Sequence, residues 1–256
     1  MRSLRLLWLT IAVLGSSTPA RAGETLVAVA ANFAGTAEAL AAELAGQSGH
    51  RVTFSSASTG QHYAQIRAGA PFAALLAADA HTPERLEAEG LGVPGTRFVY
   101  AVGRLALWSA DAKRIGPDGA AALRDASLRH LAIANPELAP YGAAAREVLQ
   151  ELELWDALAP RIVMGQNVGQ AQSLVASGAA ELGFVALAQV RGLAPGARGS
   201  HWEVPASLHA PIEQEALLLA PGRDDAAARA FLELLRSPAA RERIARAGYG
   251  VPGAQE

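Results

Sequence analysis

RVTFSSASTGQHYAQI, residues 51–66, changes character in its middle. Arg51–Ser56 is rich in β-branched and aromatic residues and reads as a strand, whereas Gly60 opens a run with helical spacing. Between them lies Ala57-Ser58-Thr59-Gly60, a strand-to-helix junction dense in hydroxyls. Its neighbours repeat the alternation: Thr25–Ala31 then Phe33–Gln47, and Phe72–Ala78 then Pro83–Glu89. Strands that alternate with helices of this length indicate an α/β fold with largely parallel sheets. Phe33, Ala37, Leu40 and Leu44 form one apolar stripe for a sheet to cover, and Thr82-Pro83 reads as an N-cap followed by proline at the first helical position.

A long strand-like stretch, Arg97–Ser109, leads through a Gly/Pro/Asp loop into a second series: Leu128–Ala134, a helix from Tyr141 to Leu154, Arg161–Met164, Val168–Ser177 and Glu181–Leu187. The tail returns to strand at Ile212–Ala220 and then to helices at Asp225–Arg236 and Pro238–Ala247. Two βα series imply two lobes, with residues 23–103 and the return 206–256 expected in the first and 104–205 in the second.

The chain opens MRSLRLLWLTIAVLGSSTPARA, with Arg2 and Arg5 before the apolar run Leu6–Leu14 and small residues around Arg21. This is the pattern of a secretory signal over residues 1–22, and the apolar run is too short to span a bilayer. Removing the leader takes 3 arginines from 22 basic residues and leaves 19 against 24 acidic ones, a formal charge of −5. That balance argues against nucleic acid or an anionic membrane as partner. With no cysteine there is no disulfide, thiolate nucleophile, Cys-based metal site or lipid-anchoring cysteine. An exported domain, working in the periplasm, is expected.

Four junctions share a composition: Ala30-Ala31-Asn32-Phe33, Ala57-Ser58-Thr59-Gly60, Asn135-Pro136 leading to Ala139-Pro140-Tyr141-Gly142, and Gln166-Asn167-Val168-Gly169. Each sets free backbone N–H groups and the positive end of a helix dipole at the carboxyl end of a strand, where open sheets bind ligands. Two belong to each lobe, so the expected site is the cleft between them, and its preferred guest is an anion. Charge-assisted hydrogen bonds contribute about 1.5–3 kcal/mol each, so roughly six outweigh the ~8 kcal/mol of micromolar binding. Asn32, Ser58, Thr59 or Asn167 taken singly is more often just a helix cap; four such junctions in one sequence weaken that reading in favour of a shared anion.

A hydrolase using Ser58 or Thr59 would need His62, His81 or His209 as base and Asp79 as orienting acid. No G-x-S-x-G or S-x-x-K motif accompanies them. His62, three residues after Thr59, reads as a surface histidine, and Asp79 as a backbone-bonding loop residue. Gly90–Gly95 matches G-x-G-x-x-G but follows a helix, which excludes a dinucleotide fingerprint. His81 and Glu84 lack a third zinc ligand. Trp108, Trp155 and Trp202 read as packing residues.

The segments VAVAANF, SSASTGQHYAQIRAGAPF, LLAADAHTPERL, PGTRFVYAVGRLALWS, AIANPELAPYG, NVGQAQSLVASGAAELGFVALAQV and HWEVPA together resemble the periplasmic molybdate-binding proteins of ABC-type uptake systems, over essentially the whole mature length. The resemblance implies a two-lobed periplasmic-binding-protein fold of type II, each lobe a βα sandwich, closing on its ligand at a hinge of crossing strands. It implies no enzymatic activity and no cofactor. The implied ligand is molybdate or tungstate, its molybdenum held only through the oxygens by Asn32, Thr59, Tyr141 and Val168, the last through its backbone N–H, with Ala31 and Ser58 adjacent. The implied partner is an ABC permease in the inner membrane, and a monomer is expected. Another tetrahedral oxyanion such as sulfate or phosphate is the alternative within the same class. Where the resembled subgroup can carry threonine before the asparagine, this chain has Ala31, leaving a backbone N–H as the contact. Where it has serine, this chain has Thr59. Where other branches carry a tyrosine in a G-x-V-Y segment, this chain has Ala186, and Tyr141 supplies the phenol.

Overall fold

The structure, a computed structural model, describes residues 22–252; the leader expected over 1–22 lies, Ala22 aside, outside the described residues. The first series forms β1 (Glu24–Ala30), α1 (Ala34–Ser48), β2 (Arg51–Ala57), α2 (Thr59–Arg67), β3 (Ala74–Leu76) and α3 (His81–Ala88). Next come β4 (Phe98–Gly103), β5 (Leu105–Ser109), α4 (Gly119–Leu123), β6 (Leu131–Ala134), α5 (Pro140–Glu151), α6 (Trp155–Leu158), β7 (Ile162–Gly165), α7 (Val168–Ala176), β8 (Leu182–Ala186), α8 (Leu187–Gly192) and β9 (Ser200–Glu203). β10 (Ile212–Leu218), α9 (Ala226–Arg236) and α10 (Pro238–Ala247) close the chain.

The strands form two five-stranded sheets, ordered β2-β1-β3-β10-β4 and β7-β6-β8-β5-β9. β1 pairs in parallel with β2 and β3, as β6 does with β7 and β8. β10 and β5, in contrast, run antiparallel to both of their neighbours. The sheets are therefore mixed rather than largely parallel, and the odd strands are those that join the lobes. β5 follows β4 across the single residue Arg104, and β10 follows β9 across 204–211, which holds one helical turn at Ala206–Leu208, so each enters its sheet directly from the other sheet. The long strand expected over Arg97–Ser109 is thus two strands, divided where the chain passes from one sheet to the other.

Each sheet is covered by its own helices. Phe33, Ala37, Leu40 and Leu44 of the expected stripe are buried against Val27, Val29 and Phe231; each large one contributes about 1.5–3 kcal/mol by leaving water. Trp108, Ile133, Val148 and Phe184 centre the second core, with Trp155 and Trp202 packed on its border. α3 departs from expectation at its start. It begins at His81 with Ala80 in the N-cap position, and Asp79, one residue earlier, accepts the Thr82 N–H on its Oδ1 at 2.6 Å.

Candidate functional site

The four junctions converge. β1 ends in a turn closed by the Phe33 N–H on Ala30 O at 2.8 Å, β2 runs through Ser58 into α2, β6 leads through 135–139 into α5, and β7 leads through Asn167 into α7. Ala31, Asn32, Ser58, Thr59, Tyr141 and Val168, all six expected site residues, line one cavity together with Asn167 and Pro140. Among the described residues no charged side chain lines it. It leaves about 10 Å3 for the centre of a water molecule, close to the least space that holds one.

The hydrogen bonds within this ring separate donors already committed from donors that face the cavity without a protein acceptor. The Ala31 N–H, expected as a contact, is spent on Ala57 O at 2.9 Å, because β1 continues its ladder with β2 one residue past the strand end. Among the described residues the N–H groups of Asn32, Thr59, Tyr141 and Val168 have no protein acceptor. Three of these lie in the first turn of a helix, where the backbone has no intrahelical partner to offer and the dipole is positive.

Ser58 and Thr59 divide the labour of their hydroxyls. Ser58 is the N-cap of α2: its Oγ accepts the Gln61 N–H at 3.4 Å and its own N–H donates to Gln61 Oε1 at 3.1 Å, completing a capping box, while the Oγ proton goes to the same Oε1 at 2.9 Å. Its proton is therefore occupied inside the helix. Thr59 Oγ1 accepts the buried Ala78 N–H at 3.0 Å, which leaves its own proton to give away. Asn167 caps α7 through the Gln170 N–H at 3.0 Å, leaving Val168 to present its backbone.

Three buried residues behind the ring escaped the sequence reading. Gln214 of β10 accepts from Asn32 Nδ2 at 2.9 Å and donates through Nε2 to the Tyr141 hydroxyl at 3.2 Å. Tyr100 of β4 shares its one hydroxyl proton between Gln214 Oε1 and Ala77 O, each at 3.0 Å. Tyr249 donates to Asn32 O at 2.7 Å, and Phe33 packs against the rings of both tyrosines. Burial pushes the phenols of Tyr100, Tyr141 and Tyr249 above the ordinary tyrosine range, so all three stay protonated donors. The available signal for Gln214 was the alternation Ile212, Gln214, Ala216, which places an amide on the inward face of a strand.

His62 corrects the expectation of a solvent-facing histidine. It is fully buried, with Nε2 on Val29 O at 3.0 Å and Nδ1 on Gln65 at 3.1 Å, because α2 lays this face on β1. Both ring nitrogens are engaged away from Ser58 and Thr59, and among the described residues no histidine hydrogen-bonds to either hydroxyl. Asp79 bonds to backbone at the start of α3, as the sequence suggested for it, and burial holds its carboxyl above the usual range. The cleft mouths differ in sign: Asp79, Glu137, Glu147 and Glu213 line one flank, Arg191, Arg243 and Arg246 the other.

Residues 25–250 match the model of the family described as bacterial extracellular solute-binding protein. The chain is similar to the molybdate-binding protein ModA of Rhodobacter capsulatus, 47% identical over 93% of this chain and 92% of the relative, and to that of Azotobacter vinelandii, 47% identical over 91% and 92%. The solved periplasmic molybdate-binding protein of Azotobacter vinelandii superposes with a TM-score of 0.85 at 45% identity, covering 89% of this chain and 99% of that one. The sulfate-binding protein SubI of Mycobacterium tuberculosis, at 14% identity and a TM-score of 0.74, shares the fold. The chain belongs to the bacterial extracellular solute-binding proteins, in the family of the molybdate-binding proteins.

Proposed function

We propose that the protein captures molybdate, and tungstate with it, in the periplasm and hands it to an ABC permease of the inner membrane. It is a binding protein and not an enzyme. One observation carries the ligand assignment: an uncharged cavity at four strand ends, ringed by unspent N–H groups of Asn32, Thr59, Tyr141 and Val168 and by the hydroxyls of Thr59 and Tyr141. Such a ring donates to all sides of a tetrahedral dianion and offers it no countercharge, as helix N-termini do for oxyanions. A tetrahedral anion is larger than the water-sized cavity, so the lobes part at Arg104 and at 204–211 to admit it and close behind it.

Selection within the class follows size. Molybdate and tungstate are nearly equal, and sulfate is smaller, so a ring fitted to the larger ions leaves stretched bonds around sulfate. The similarity to two molybdate-binding proteins at 47% identity supports this reading, and the expected leader supports the periplasmic address. Calorimetric titration of the mature monomer with molybdate, tungstate and sulfate tests it. Tight binding of the first two and weak binding of the third is expected; tight sulfate binding without a response to molybdate would overturn the assignment.

A further inference from the structure

Gln214 has no solvent exposure and sits at a β-bulge, where the pairing of β10 with β4 slips between Gln214 and Glu215. Its amide bonds to three side chains. Asn32 of the first lobe donates to Oε1, and Tyr100 of the same lobe shares its one proton between Oε1 and Ala77 O; Tyr141, at the start of α5 in the second lobe, receives Nε2–H. The space is made by Gly103, the last residue of β4. A Cβ there would stand 2.5 Å from the Tyr141 hydroxyl and 2.8 Å from Gln214 Nε2. Two of the proposed ligand donors, one in each lobe, are therefore tied to one buried amide on a strand that joins the lobes.

The direction of these bonds has a chemical consequence. A phenol has one proton, and when its oxygen accepts from Gln214 Nε2 that proton turns elsewhere, toward the cavity that Tyr141 lines. We propose that Gln214 is a positioning residue of the binding site: it holds Tyr141 as an obligate donor and thereby selects fully deprotonated dianions over those that carry a proton. A protonated anion needs an acceptor at its hydroxyl, and a buried hydroxyl without one costs as much as any unmade bond. The reverse orientation of the amide would draw the Tyr141 proton to Gln214 and turn an acceptor to the cavity, so the two orientations predict opposite selectivity. This inference rests on the oxyanion reading above and adds the residue that sets the polarity of its donors.

The test compares molybdate with inorganic phosphate at slightly alkaline pH, where phosphate is a dianion that still carries one proton. Wild type, Gln214→Met, Tyr141→Phe and the double variant are titrated calorimetrically. Gln214→Met is expected to weaken molybdate about tenfold, on the scale of one charge-assisted bond, and to lower the molybdate-to-phosphate ratio, because a freed Tyr141 hydroxyl can accept as well as donate. In the Tyr141→Phe background the same change is expected to have no further effect on that ratio. Equal loss for both anions, or additive effects in the double variant, would overturn the role. A wild type that prefers phosphate over molybdate would show the reverse polarity and overturn it too. Should Gln214→Met fail to fold, Tyr141→Phe alone decides: an unchanged ratio removes the selectivity from Tyr141 and hence from Gln214. A wild type that binds neither anion defeats the functional reading itself.

Discussion

The backbone N–H of Gly60 donates to Leu138 O at 2.9 Å, joining the second junction of one lobe to the third junction of the other across the cleft. A Cβ built on Gly60 would lie 2.9 Å from that oxygen and 3.1 Å from the Leu138 Cα, so backbone would have to give way. Gly60 permits the two junctions to touch, next in the chain to Thr59 and Ala139, which line the cavity.

Gly60→Ala is expected to separate ligand binding from stability. Within the first turn of α2, alanine is favoured over glycine by about 0.5–1 kcal/mol, so the unliganded protein should melt no lower than wild type. Closure, however, must now displace Leu138, and overpacking of this kind costs about 1–3 kcal/mol. Molybdate affinity should fall by about tenfold or more in calorimetry. Unchanged affinity would mean that the bound lobes do not meet at Gly60 and Leu138.

Thr59 carries two duties that its substitutions can separate. Its oxygen is the acceptor for the buried Ala78 N–H, and its proton is proposed for the anion. Thr59→Val fills the same space without an oxygen, which strands Ala78 N–H and lowers stability by about 1–3 kcal/mol while also weakening the anion. Thr59→Ser keeps both duties and should stay within about 1 kcal/mol of wild type on each scale. Denaturant melts and titrations of the two variants check this. Equal behaviour of the valine and serine variants would deny the hydroxyl both roles.

The junctions were legible because each concentrates short polar residues where a period of 2 changes to 3.6, and that local pattern does not depend on distant partners. The order of βα units and the stripe Phe33, Ala37, Leu40, Leu44 were legible for the same reason. His62 was misread because α2 carries polar residues at Gln61, His62 and Gln65, and its sequence does not say which side β1 covers. The sheets came out mixed because strand direction at β5 and β10 is set by the passage between lobes, a long-range fact absent from any local window. The commitment of the Ala31 N–H to Ala57 and of the Ser58 proton to Gln61 depends on ladder and cap geometry, which composition cannot rank.

His62 gives the protein a pH dependence whose sign follows from its burial. Desolvation pushes the ring below its ordinary 6.5, outweighing the bonds to Val29 and Gln65 that pull it upward. In the unfolded chain the ring takes up a proton near 6.5, whereas in the folded chain it does so only at lower pH. Between those values the unfolded state binds more protons, so stability falls as pH drops below 6.5. Asp79, held above its ordinary 3.8 by burial, works in the opposite sense: the folded state binds its proton first, and acidification toward 3.8 favours folding. A His62→Gln variant isolates the histidine. It keeps a neutral hydrogen-bonding side chain beside Val29 O, so its melting temperature should be lower than wild type at neutral pH yet decline less steeply below pH 6.5. Parallel slopes in the two proteins would show that His62 takes up its proton in the fold as readily as in the open chain, which its burial between α2 and β1 forbids.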